Sequence, residues 1–495
     1  MDALYKLIKS LRKSEKRFFR LHAGRHVKGE NNILKLFNEI EKQKEYDEEK
    51  LKKHFKGTTL SKYLAFNKHY LYKQILKSLH NFYSASHAEN IIREQTHYIK
   101  ILFDRRLLDD CEKLVEKTIL LAKKYEAFPE LIRLLEWKIE VMVVRLFEGY
   151  EEKEITEIEN EFRSAIESLQ EFLLQYLSQQ KLYFGLQKRG LTIFRSKSGE
   201  YKKMVAAIEK STPKGFRSRI LKEYFLEVAN RNISGDESKA EKNVKNILSL
   251  TEQFPHMTKN NPRHRMAALY NLALNKLMVR DNSSAQEIAD EMKKFTETTR
   301  LSIGQMQTGV YLHATVQMGI YTNELNYAAA EEYYKHYLQK RKTFSGLEPN
   351  HSHEKVITYV MGHLSFNAGK YKEAVHHLSA ITVTRHSSAR SDIDGYARIL
   401  QLFSFFVIGN TLSLETSARS LEKSMAKQNN LYRIEKTALD FVRRNTKHIH
   451  NRAALKEQYD LLKKDLENIR GHGSKEEKIA IEYIDLENWA EKQAK

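Results

Sequence analysis

Six of the chain's 20 histidines fall between His351 and His386, which makes this the first place to look for chemistry. His351 and His353 sit one residue apart in a loop-like stretch. His376 and His377 are neighbours in a helical one, where adjacent side chains diverge by about 100° and do not share one metal. No pair of histidines at i and i+4 comes with a local carboxylate in the metalloprotease manner. The phrase "SDIDGY" opens like a calcium loop with Asp392 and Asp394, but its fifth and twelfth positions are Tyr396 and Phe403, where oxygen ligands are required. "GRHVKGEN" spaces Gly24 and Gly29 like a phosphate-binding loop, yet Glu30 and Asn31 replace the Lys and Ser/Thr, and an acid there repels phosphate. The one cysteine, Cys111, rules out an internal disulfide and any cysteine-built zinc site. No catalytic, metal or cofactor residue is expected, and the chain does not read as an enzyme.

The elements around these residues are helices. Only five prolines and 19 glycines interrupt 495 residues, while 41% of the chain is hydrophobic. Proline breaks helix interiors and glycine weakens them, so a chain poor in both is free to form long helices. The prolines fall at apparent boundaries. In "NNPRHRMAALYNLAL", Asn261 is placed to cap and Pro262 to take the first helical position. The opening "MDALYKLIKSLRKSEKRFF" is charged throughout, without the apolar run of a signal peptide, and the longest apolar stretch, "ILQLFSFFVIG", is about half a membrane span. A cytoplasmic protein with no membrane contact is the expectation.

The helices recur at a fixed step. Aligning on "GKYKEA", whose alanine is Ala374, gives Ala330, Ala285 and Ala240 upstream and Ala418 downstream, at separations of 44, 45, 45 and 44. Each alanine follows a turn and opens a helix. Met204 and Cys111 are blurred earlier copies. Around Ala374 the chain reads Thr358-x-x-Met361-Gly362-x-x-Ser365, then Ala374-x-x-x-Leu378. This resembles the tetratricopeptide repeat (TPR), which pairs a Leu-Gly step in helix A with an alanine and a large apolar residue in helix B. Gly362 and Ala374 are then points of close helix approach. The step is about ten residues longer than the family's 34, which leaves helices of about 19 residues, near 28 Å. The similarity covers residues 222–425 well and 91–210 weakly, and is absent from residues 1–90.

The resemblance implies an all-α fold, a right-handed α-α superhelix. Its divisions are a basic helical head at 1–90, degenerate repeats at 91–210, TPR-like repeats at 211–430, and capping helices at 431–495. Ser474-x-x-Glu477 reads as a capping box ahead of that last helix pattern. The resemblance also implies a concave groove. Carried over by position, its lining is Tyr359, His363 and Asn367 in the Ala374 repeat, Thr315 and Asn323 in the one before, and Tyr270 in the Ala285 repeat. The basic residues that clamp a peptide carboxylate in chaperone-binding relatives are missing there, so an amphipathic or extended apolar segment of a partner protein is the expected occupant.

The head carries a different signal. Net charge is +20 overall, and residues 1–80 hold 20 basic and 9 acidic residues, or +11. Four helices are expected, near 2–23, 31–44, 48–56 and 60–83. The last two, joined by "KGTT", are compatible with a helix-turn-helix. In the long one Leu64, Leu71, Ile75 and Leu79 form an apolar stripe, and Lys62, Lys68, His69, Lys73 and Lys77 lie elsewhere, free to meet nucleic acid. Two functions follow: a protein–protein interaction scaffold, or a nucleic-acid-binding regulator whose repeats sense a peptide or protein. Salt-dependent DNA binding by the head separates them.

Overall fold

A computed structural model describes residues 2–494 apart from 25–30, 85–86, 197, 345, 349, 383–390 and 429–432. Among the described residues the protein is 85% helix with no strand. The head holds α1 (Ala3–Ser10), α2 (Lys13–Gly24), α3 (Asn32–Lys42), α4 (Glu48–His54), α5 (Thr59–Lys62) and α6 (Leu64–Tyr83). Then come α7 (Ala88–Asp104), α8 (Leu108–Lys124), α9 (Phe128–Val144), the 45-residue α10 (Glu152–Ser196) and α11 (Ser198–Lys210). The repeat region runs through α12 (Phe216–Ala229), α13 (Glu237–Gln253), α14 (Pro255–Asn260), α15 (Arg263–Met278), α16 (Asn282–Thr298), α17 (Ile303–Asn323), α18 (Tyr327–Lys342), α19 (His351–Asn367), α20 (Tyr371–Thr382), α21 (Ser391–Ile408) and α22 (Thr411–Gln428). It ends in α23 (Arg433–Asn445), α24 (Arg452–His472), α25 (Lys475–Ile484) and α26 (Leu486–Ala494).

From α15 to α21 each helix packs on the next, and α15, α17, α19 and α21 also pack on one another in sequence. The turns that fold the pairs back repeat closely. Gly235, Arg280, Leu325, Gly369 and Gly409 adopt left-handed φ values of 69°, 58°, 52°, 74° and 76°. In the last four turns the following amide donates to the carbonyl five residues back, from Asp281 to Lys276 and from Asn326 to Tyr321 at 2.9 Å each, which is the Schellman arrangement. The side chains of Asp236, Asp281, Asn326 and Asn410 then accept from the amide three residues on, so one residue closes one helix and its neighbour caps the next.

The register alanines follow these caps. Ala240, Ala285, Ala330 and Ala374 each stand four residues after the cap and are fully buried. Cys111 stands four residues after the cap position of α8, Leu107, and is also fully buried. Gly362 is closed in as expected, but by the side chain of Leu378: an added Cβ would meet Leu378 Cδ2 at 2.8 Å.

Several expectations need correction. The last turn comes 40 residues after the one before it, so the position equivalent to Ala374 is Leu414, and Ala418 lies one helical turn further on. Pro262 precedes the first residue of α15, and Asn261 closes α14 instead of capping. The expected single helix over 2–23 is two, because Leu11 is extended and the Arg12 amide donates to Glu15 Oε2, starting a new helix. In the region 91–210, α7, α8, α9 and α10 pack in succession, but α10 runs unbroken for 45 residues, more than twice the expected helix length. The capping box Ser474–Glu477 forms with both hydrogen bonds.

Candidate functional site

Two of the six residues assigned to the groove are shut in by packing. Tyr359 and His363 are 2% and 4% exposed. The Tyr359 hydroxyl donates to the Tyr483 carbonyl at 2.8 Å, and the Tyr396 ring stacks on Tyr483 at 5.8 Å, so α25 lies over this stripe of α19. Burial holds the His363 imidazole neutral, with its pKa lowered to about 4. Asn367 turns its amide to His363 Nε2 at 3.1 Å. In α17, Thr315 donates to the Tyr311 carbonyl of its own helix at 2.9 Å, and Asn323 donates to the Leu277 carbonyl and Asn282 Oδ1, tying one repeat to the turn of the previous one. Tyr270 is half-buried, its ring edge against His353 at 6.3 Å. Tyr359 and His363 are thus taken up in helix-to-helix packing and withdrawn from the groove assignment, while Tyr270, Thr315, Asn323 and Asn367 are half-buried.

The head is built around Leu36, Phe37, Ile40, Leu71 and Ile75, all fully buried. It also grips the repeats. Arg12 Nη2 donates to the Leu301 carbonyl at 2.5 Å, Lys6 pairs with Glu348 at 3.0 Å, and the backbone of Lys9 lies so close to Gly346 that an added Cβ would fall 2.2 Å from it.

The five head cations divide. Lys68 is a structural residue: its Nζ meets Asp2 Oδ2 at 2.5 Å and Glu48 Oε2 at 2.8 Å, and its side chain is 15% exposed. Burial disfavours the ammonium, but the hydrogen bonds it donates to Asp2, Glu48 and Tyr46 outweigh it and raise the pKa. Burial likewise pushes the Asp2 carboxyl up, and Lys68 more than reverses that. Its assignment to nucleic acid is therefore withdrawn. Lys62, His69, Lys73 and Lys77 are exposed.

Sequence reasoning missed what lies between them. Tyr63, Phe66, Tyr70 and Leu76 are 55%, 69%, 44% and 44% exposed. Phe66 and Tyr70 stack at 6.5 Å with planes 9° apart, and Lys62 Nζ lies 5.5 Å from the Tyr63 ring centre. At 100° per residue Phe66, His69, Tyr70, Lys73, Leu76 and Lys77 share an arc of about 120°, opposite the buried Leu71 and Ile75. Nor does the sequence from Lys50 to Ala88 hold a single acidic residue. That acid-free run with aromatics at helical spacing was the available signal.

No family model matches the chain, and no curated protein or solved structure matches it either.

The remaining motifs resolve as structure. Among the described residues no group of three or more His, Cys, Asp or Glu is placed to hold a metal ion, and no helix is long and apolar enough to cross a membrane. Asp394 lies in the first turn of α21, paired with Lys355 at 3.0 Å, so the calcium-like phrase is helical. His376 and His377 touch only edge to face, at 5.3 Å. Burial raises the Cys111 thiol above its ordinary pKa, the opposite of what a nucleophile needs. Gly29, Glu30 and His386 lie outside the described residues.

Proposed function

We propose that the protein is a non-enzymatic cytoplasmic scaffold, a right-handed superhelix of TPR-like helix pairs whose partner surface is the exposed face of α6. The buried alanine register and the repeated turns support the superhelix. One observation carries the partner surface: a stripe of exposed aromatic and aliphatic side chains flanked by cations and without acids. An apolar stripe on a surface helix, bordered by one sign of charge, fits an amphipathic helix of opposite charge laid along it. The partner segment is accordingly acidic and apolar. The face extends about 16 Å from Phe66 to Lys77, near three helical turns.

The nucleic-acid reading keeps one specific support, the exposed, nearly parallel Phe66 and Tyr70 rings beside lysines, which suit unpaired bases. Duplex DNA fits less well, because major-groove readout uses hydrogen-bonding side chains where this face offers rings.

The test is titration of the full chain with two labelled probes: an acidic helical peptide carrying a leucine stripe, and an oligothymidylate. The peptide is expected to bind, more weakly as salt rises, and to lose binding in Phe66→Ala/Tyr70→Ala and in Lys73→Glu/Lys77→Glu. Oligothymidylate binding alone favours the second reading. Binding of neither probe at low salt removes the surface.

A further inference from the structure

The long helix α10 has two faces with different surroundings. Gln175 and Leu182 are fully buried against the rest of the chain, and Gln175 donates to Ser211 Oγ at 2.9 Å. On the opposite side Ile166, Gln170, Leu173, Leu177, Gln180 and Phe184 are all exposed, Leu177 by 53% and Phe184 by 59%. Their steps alternate between four and three residues, the spacing of a coiled-coil seam. At 100° per residue all six fall within an arc of about 80°, and the seam is about 27 Å long.

The seam reads alike from either end: apolar, Gln, Leu, Leu, Gln, apolar. A twofold axis across the helix at Gln175 sets Ile166 of one copy against Phe184 of another, Gln170 against Gln180, and Leu173 against Leu177. Such self-matching is what an isologous interface requires, where one patch serves both partners. The charges beside the seam choose the direction. Glu167 and Lys181 are both exposed, and the same axis brings them together twice. In a parallel pair the two copies of Glu167 stand on opposite flanks of the seam, as do the two copies of Lys181, so neither charge meets its opposite. Over the whole helix the asymmetry is larger: residues 151–171 hold eight acids and two bases, and residues 172–196 hold four bases and no acid. Antiparallel alignment lays each acidic half on a basic half, and it also sets the helix dipoles in the favourable sense.

We propose that α10 is a dimerisation helix, and that two copies of this chain associate antiparallel through the seam from Ile166 to Phe184. The occupant is a second copy and not another protein, because the residue order and the charge order are both complementary to themselves. Leu174, 54% exposed, then lies beside its own counterpart near the axis.

Sedimentation and cysteine cross-linking of the full chain test this. The wild type is expected to sediment as a dimer, and Leu173→Glu/Leu177→Glu as a monomer with unchanged circular dichroism, since both leucines are exposed. Glu167→Lys should weaken association roughly tenfold by placing like charges together twice, and adding Lys181→Glu should restore it. In a Cys111→Ala background, Leu174→Cys should form a disulfide with itself on oxidation. Ile166→Cys should not, yet should link to Phe184→Cys when the two are mixed. A wild-type chain that stays monomeric up to about 100 μM overturns the proposal. So does a dimer in which Ile166→Cys links to itself, which would mean parallel pairing.

Discussion

Replacing Gly362 by alanine tests the repeat packing at its tightest point. In an open helix the change stabilises by about 1 kcal/mol, since alanine loses less backbone freedom on folding. Here the new methyl would sit 2.8 Å from Leu378 Cδ2, 2.9 Å from its Cγ and 3.4 Å from His377 Cβ. Leu378 is fully buried and has nowhere to retreat, so overpacking of about 1–3 kcal/mol opposes the gain. The expected net is a loss of up to about 2 kcal/mol. Gly304, in α17, has no atom within 4 Å of its would-be Cβ, so Gly304→Ala should be neutral or stabilising. Leu378→Ala alone should cost about 2–5 kcal/mol. In that background the two closest atoms to residue 362 are gone, leaving only His377 Cβ at 3.4 Å, and Gly362→Ala should change from unfavourable to favourable. Urea unfolding followed by circular dichroism gives the four corners of the cycle, provided the slopes stay equal. If Gly362→Ala matches Gly304→Ala with Leu378 in place, the packing argument is wrong.

Leu325 holds a left-handed φ of 52° with 49% of its surface exposed, so Leu325→Gly should raise the urea midpoint through a net gain of up to about 1 kcal/mol, while Gly369→Ala at the equivalent turn should lower it. Burial lifts the Glu435 carboxyl from 4.5 to about 7 despite the Arg398 charge. The folded chain therefore keeps a proton that the unfolded chain releases, and this group's contribution falls as pH rises through that window, so wild type should lose stability relative to Glu435→Gln between pH 4.5 and about 7. Lys68→Met should cost about 2 kcal/mol by stranding Asp2 and Glu48, whereas Lys73→Met should leave the unfolding midpoint unchanged.

Periodicity made the helices and the alanine register legible, because both depend on residues within one or two turns of each other. It assigned faces correctly as well: Tyr359 and His363 do share one. What covers a face is a tertiary matter, and α25 arrives over that stripe from about 120 residues downstream in sequence, with nothing near Tyr359 to announce it. Lys68 and Lys73 look alike on a helical wheel. They differ because Asp2 and Glu48 reach one and not the other. Ala418 misled for a simpler reason: its turn came four residues early, and a buried alanine happened to stand where the constant step pointed. The seam of α10 was readable in principle, but it lies on a 45-residue helix that does not follow the 44-residue step of the helix pairs.

The grip of the head on Leu301, Gly346 and Glu348 has a consequence for a chain made from one end. Synthesis delivers Lys6, Lys9 and Arg12 before their docking points, which follow about 290 to 340 residues later. At ribosomal rates of about 5–20 residues per second, that is an interval of tens of seconds. During it the underside of the head meets solvent or whatever else is near. The helices in between fold on their immediate neighbours and do not have to wait. The head is therefore made well before its docking points and finished only after them.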